Sequence, residues 1–426
     1  MLRQLLSLSL LAFLNASGQT TTWTQVFPAN SPTPRMHHAM ADDGLRHNVV
    51  LFGGALQGGA LVGDTWVWDG TDWIQTFPAN SPSPRAYSAM AYDAQHGTVV
   101  LFGGYGPSGE TWLWNGSDWT QQFPANSPPA RYAHAMAYDA QHGRVVLFGG
   151  IAGGPFGDTW LWDGTNWTQQ FPSASPTPRY FHSMAYDAEH GGVLLFGLAD
   201  NQTWAWDGSN WIQQSPTNSP PLRYSASMAH NPQNRQVVLF GGGDVIGANT
   251  GETWEWSGTN WAQRFPASSP SARSRHAMVE DSARGNIVLF GGMTDSGAVG
   301  DTWVTAGAPK PAYNVCLLYD PTKAVKSGAT IPIKLQLCDG TGNNVSSSVV
   351  TVHATSFTQV STLMSGPVQV AGNANPNNDF RFDSTLGNTG GYILNFKTTG
   401  LATGTYSLKF TAGADPTTHS APFQVR

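Results

Sequence analysis

Charge is scarce in this 426-residue chain: Asp, Glu, Lys and Arg together make up 11 % of it, and the formal net charge is −6. So thin a distribution forms no basic patch, which excludes nucleic acid as an expected partner. Lysine is missing from the first 309 residues, and all six lysines fall from Lys310 to Lys409. No apolar run reaches the roughly 20 residues needed to cross a bilayer as a helix, so no transmembrane segment is expected. The longest, Leu5 to Leu14, follows Arg3 and precedes the small residues Ala16-Ser17-Gly18. That is the layout of an export signal; residues 1–18 are expected to be removed and the mature protein to be secreted, extracellular or periplasmic. Cysteine is reduced to Cys316 and Cys338. In an exported protein an even pair is expected to form a disulfide.

Glycine, proline and aromatic residues are abundant, with 48 Gly, 28 Pro and 12 % aromatics. Frequent turns around a large apolar core favour an all-β fold. The chain is also repetitive. Leu51-Phe52-Gly53-Gly54 returns at residues 101, 147, 239 and 289, with a degenerate copy at Leu195-Phe196-Gly197-Leu198. Arg35, Arg85, Arg131, Arg179, Arg223 and Arg273 precede the copies, separated by 50, 46, 48, 44 and 50 residues. A period in the forties fits one propeller blade per copy. Each unit reads as four strands: in the second, Ala89 to Asp93, then Val99 to Phe102 ended by Gly103-Gly104, then Thr111 to Trp114, an Asn115-Gly116 hairpin turn, and Trp119 to Phe123.

The tryptophans predict how the array closes. All 17 lie in the repeats, as five triplets such as Trp66, Trp68 and Trp73 plus Trp23 at the front and Trp303 at the back. The sixth unit stops after its third strand, while Trp23 to Pro28 matches the missing fourth strand, as in Trp73 to Pro78. The expectation is a six-bladed β-propeller over residues 19–307 whose N-terminal strand completes the last blade beside Trp303, leaving only short, protected edges.

The Arg-x-x-His start, the double glycine and the spaced aromatics resemble the kelch repeat, found also in the central domain of galactose oxidase. The resemblance implies fold more than chemistry, since function is carried by loops grafted on a fold. Composition shifts near Gly307, and Ala308-Pro309-Lys310-Pro311 reads as a stiff linker. Beyond it, residues 313–319, 329–338, 349–354, 392–397 and 405–410 read as strands. Lys326 to Lys334 and Gly404 to Leu408 resemble the immunoglobulin-like modules of bacterial extracellular proteins, which implies a β-sandwich over residues 308–426 acting as spacer or adhesive module. It has no core tryptophan, and its cysteines are only 22 positions apart. A disulfide between neighbouring strands is therefore expected rather than one across sheets.

Alternating strand direction puts first-to-second and third-to-fourth turns on one face, and the arginines with the variable second-to-third loops on the other. Variable loops on a rigid scaffold are where binding specificity is built. The arginines either bind carboxylates through their planar forks or satisfy carbonyls between blades; in kelch relatives such arginines contribute to peptide binding. His38, His134, His182 and His276 stand three residues after four of them, and Ser88 and Ala226 break the series. A metal is not expected from so interrupted a set, and no cofactor is implied. His96, His142 and His190 are expected in solvated turns of the opposite face. Copper-radical oxidase chemistry requires a propeller cysteine, which is missing, and the Ser-x-Asp-x-Gly boxes of sialidases are missing too. The expectation is a non-catalytic binding or scaffold protein whose arginine-bearing face engages a glycan, a peptide or a cell-surface protein. The alternative is a carbohydrate hydrolase or lyase using unrepeated acids such as Asp244, Glu280 or Asp295.

Overall fold

A computed structural model describes residues 20–106, 109–306, 314–320, 323–338, 344–347, 350–359, 365–366, 379–386, 390–413 and 415–426. The expected signal peptide and the linker at 308–311 lie outside these residues. The chain divides into two compact units, Met1–Gly307 and Ala308–Arg426. Every described element is a strand, turn or loop; none is an α-helix.

In the first unit the strands form antiparallel sheets in propeller-like repetition. In the second repeat Ala89–Asp93, Thr98–Phe102, Thr111–Trp114 and Trp119–Gln122 pair in sequence order, and the pattern recurs in the third, fourth and fifth. β-branched and aromatic residues dictate these strands, and the last four residues of the second strand of each, exemplified by Val99 to Phe102, are at most 2 % exposed. Across the hairpin Trp114 lies opposite Trp119, ring centroids 5.4 Å apart. The Trp119 indole N–H then donates to Thr65 Oγ1 of the preceding sheet at 2.9 Å, so a buried polar atom is satisfied between sheets.

Two repeats depart from the expected pattern. In the first and last, the second strand runs on past the double glycine as Asn48–Leu56 and Asn286–Thr294, with register shifts at Phe52/Gly54 and Phe290/Gly292. Between Asn48–Leu56 and Leu61–Trp68 the second-to-third connection of the first repeat is thus an extended hairpin, because a bulge lets the strand bend at the glycines without ending. In the last repeat, Ala277–Asp281, Asn286–Thr294 and Gly297–Thr305 are joined by Trp23–Val26 from the start of the chain, with Gln25 opposite Trp303. The Trp23 indole reaches Thr253 at 3.2 Å and that of Trp73 reaches Thr302 at 2.9 Å, so the inter-sheet contact recurs on both sides of this sheet. Buried Glu255 fastens the entering segment: it accepts from Thr21 N at 2.8 Å, Asn234 Nδ2 at 2.7 Å and Arg264 Nε at 2.5 Å.

The second unit has two four-stranded sheets around one apolar core that includes Ile333, Leu335, Phe396, Leu408, Phe410 and Phe423. One sheet holds Asn314–Leu317, Thr330–Cys338, Gly391–Lys397 and Arg381–Asp383; the other holds Ser365–Gly366, Val352–Gln359, Gly404–Ala412 and Asp415–Val425. Cys316 and Cys338 form a disulfide between the adjacent strands Asn314–Leu317 and Thr330–Cys338. The last strand is not among those expected from sequence. It carries Pro422, which a sheet accepts only where no ladder donor is needed, and this strand lies at the sheet edge.

Candidate functional site

The first strands of the six repeats line two cavities, one of about 180 Å³ toward the loop-rich face and one of about 270 Å³ toward the opposite face. Six equivalent methionines, Met40, Met90, Met136, Met184, Met228 and Met278, border both and so lie between them.

The six arginines are turned into the sheets. Each is at most 2 % exposed. Arg35 uses all five donors, reaching Thr33 O and Oγ1, Gly53 O, and Asp64 with a two-pronged pair at 2.6 and 2.8 Å. Equivalent carboxylates meet the others: Glu110 for Arg85, Asp158 for Arg131, Asp200 for Arg179, Glu252 for Arg223 and Asp301 for Arg273. At Asp64, Glu110, Asp158, Glu252 and Asp301 burial raises the affinity for a proton and the paired arginine and indole lower it; the net is a lowered pKa. The same carboxylates accept the first indole N–H of strand three, as Trp160 Nε1 donates to Asp158 at 2.7 Å. Sequence reading missed these acids, although an acid stands directly before Thr-Trp in five of the six units. In the fourth, Gln202 takes that place beside Trp204, and Asp200 supplies the charge.

His38, His134, His182 and His276 all border the smaller cavity, but no three of them are placed to hold a metal ion. Each packs edge-on against a phenylalanine of the neighbouring repeat, Phe290, Phe102, Phe148 and Phe240 respectively, with centroids 5.5–5.6 Å apart. They are wedges between sheets. Burial, aided by the adjacent arginine, holds His134 and His276 down to about 3 and the other two well below 6.5. The sheets meet so closely here that a Cβ on Gly103 would stand 2.5 Å from Arg131 O, and its φ of +66° is one glycine tolerates. On the opposite face His96, His142 and His190 are partly exposed and pair through Nδ1 with Asp93, Asp139 and Asp187 at 2.7, 2.8 and 2.9 Å.

The unrepeated acids are scattered. Asp244 accepts from Ile246 N and Ala248 N of its own loop, and Asp295 accepts from Asn249. Glu280 borders the cavity at the other face, 3.2 Å from His230 Nδ1, near Asp42, whose pKa burial raises to about 7. Among the described residues no group of three or more His, Cys, Asp or Glu is placed to hold a metal ion.

A second ring, two residues after each arginine, was not foreseen. His37, Tyr87, Ala133, Phe181, Ser225 and Arg275 all have positive φ, between 52° and 62°. The amide of each donates to the carbonyl of the equivalent residue in the preceding repeat at 2.9 Å, His37 taking Arg275 O, so the six bonds return to their start. Six non-glycine residues in this costly conformation are held by the hydrogen bonds that surround them. Their side chains gather at the loop-rich mouth. His37 stacks on Tyr87 at 3.8 Å and on Phe181 at 5.9 Å, each at 29°, and Tyr87 lies 5.7 Å from Phe181. Tyr105, 56 % exposed, and Tyr132 extend the patch. The available signal was a position that never repeats, set in every unit two residues after an arginine and three before a methionine.

Comparison with protein-family models and with curated proteins returns no match. Among solved structures the chain is similar to a protein of unknown function from Bacteroides thetaiotaomicron VPI-5482, with a TM-score of 0.43 and 9 % identity, covering 67 % of this chain and 76 % of that one. A likeness this weak carries nothing about function.

Proposed function

We propose that the first unit is a six-bladed kelch-type propeller completed by its N-terminal strand, that the second is an immunoglobulin-like module, and that the whole is an exported, non-catalytic binding protein. The pairing of Trp23–Val26 with Gly297–Thr305 and the returning chain of six backbone bonds support the first part. The two-sheet core supports the second. Export is supported by the disulfide, which persists in oxidising compartments, and by the apolar N-terminal run. No helix among the described residues is long and apolar enough to cross a membrane.

The binding reading rests on one observation: partly exposed aromatic rings from different repeats meet at the face whose loops differ from unit to unit. Side chains of this kind give large contact area at low entropic cost. The arginines are in this reading the frame beneath the site, and the partner is a glycan, a peptide or a cell-surface protein. The hydrolase or lyase alternative gains no support from Asp244, Glu280 and Asp295, because Glu280 belongs to the opposite mouth. The test is retention of the mature protein on glycan and peptide arrays. Tyr87→Ala with Phe181→Ala should weaken retention about tenfold or more at unchanged thermal stability. Turnover of any retained ligand would remove the reading.

A further inference from the structure

We infer that the partner held at this mouth is a carboxylated glycan, a chain bearing hexuronate units; this rests on the binding reading above and names its ligand class. The six mouth positions share one backbone geometry, so their differences lie in side chains alone: three rings, the small Ala133 and Ser225, and the guanidinium of Arg275. Arg275 differs from the six framework arginines. It has no carboxylate partner among the described residues, and its Nη1 reaches only Met36 Sδ at 3.7 Å. Among the described residues of this unit the other arginine without a carboxylate ion pair, Arg144, begins a second strand at the opposite face. His37, the neighbour of Arg275, is held near 3 by burial and by Arg275, so at neutral pH it adds no charge. The mouth therefore offers one positive charge beside a cluster of stacked and tilted rings.

That combination selects by chemistry. The apolar C–H face of a pyranose packs on an aromatic face, and a guanidinium takes a carboxylate through two parallel hydrogen bonds. An extended peptide is disfavoured, because strand addition needs free backbone donors and acceptors, and those of the six ring positions are taken by one another. Of the acids on this face, Asp244 is bonded within its own loop and Asp295 holds Asn249, and neither is ion-paired with Arg275.

The experiment is calorimetric titration of the mature protein with oligogalacturonate, with the same oligosaccharide after carboxyl reduction, and with its methyl ester. The acidic form should bind at least about tenfold more tightly than both neutral forms, and added salt should narrow the gap. Arg275→Gln should remove that preference, so that acidic and neutral forms bind within about twofold of each other; Arg275→Lys should restore part of it. Tyr87→Ala should weaken all three ligands. Each variant is accepted only if its thermal transition matches that of the parent. Equal affinity for acidic and neutral forms, or an Arg275→Gln variant that keeps the preference, overturns the inference. If only neutral glycans or carboxylate-bearing peptides bind, and Tyr87→Ala weakens them, the ligand class is wrong and the binding site stands. If no glycan or peptide binds in a Tyr87-dependent way, both fail.

Discussion

At the scale of single residues, repetition separates the parts that hold the unit together from those that differ. The framework arginines and their carboxylates are buried or half-buried ion pairs whose loss would strand a charge, so their six-fold copying needs no ligand to explain it. Their positions were legible in the sequence; their partners were not, since these stand 21 to 29 positions further along and only folding brings them within bonding distance. The histidine series likewise could not be told from a ligand set by spacing alone. Buried among apolar rings, these imidazoles have depressed proton affinity when folded, about 3 for His134 against 6.5 when exposed. Their contribution to stability is therefore complete above about pH 6.5 and is lost as pH falls toward 3. Thermal unfolding at pH 7 and pH 4.5 checks this: His134→Ser, mimicking Ser88 in the second repeat, should cost on the order of 2 kcal/mol at pH 7, and the gap to the parent should close at pH 4.5. A gap that widens on acidification would contradict the assignment.

At the scale of elements, strands and hairpins were readable because apolar alternation and turn residues act locally. The bulged continuation past Gly53-Gly54 and the proline-bearing final strand were not, because a bulge and an edge position depend on what lies alongside. The entering strand Trp23–Val26 is the element with the greatest leverage. It covers the edge of Gly297–Thr305 and is tethered by Thr21 to buried Glu255. Glu255→Ala leaves Arg264 and the Thr21 amide without their acceptor and is expected to cost about 3 kcal/mol. Hydrogen exchange should report the loss first at residues 23–26 and 302–305, with aggregation rising as the edge opens. Loss spread evenly over all sheets would argue against so local a tether.

At the scale of the whole molecule, two compact units predict two unfolding events. Only the second holds the disulfide, whose 22-residue separation corresponds to about 3 kcal/mol of loop-closure entropy. Scanning calorimetry with and without reductant should lower one transition and leave the larger one in place; a shift of both would tie the units into one cooperative block. The sequence by itself determined the β class, the number of repeats, the matching of the first and last strands and the pairing of the cysteines, because each follows from local pattern or from a count. Tertiary structure alone decided which charges are framework and which face the mouth. Arg273 and Arg275 are two residues apart and chemically alike, yet one meets Asp301 inside a sheet while the other stands without a carboxylate partner beside stacked rings. That difference arises from the path of the backbone through a left-handed turn, which depends on the hydrogen bond offered by the neighbouring repeat and not on the residue itself.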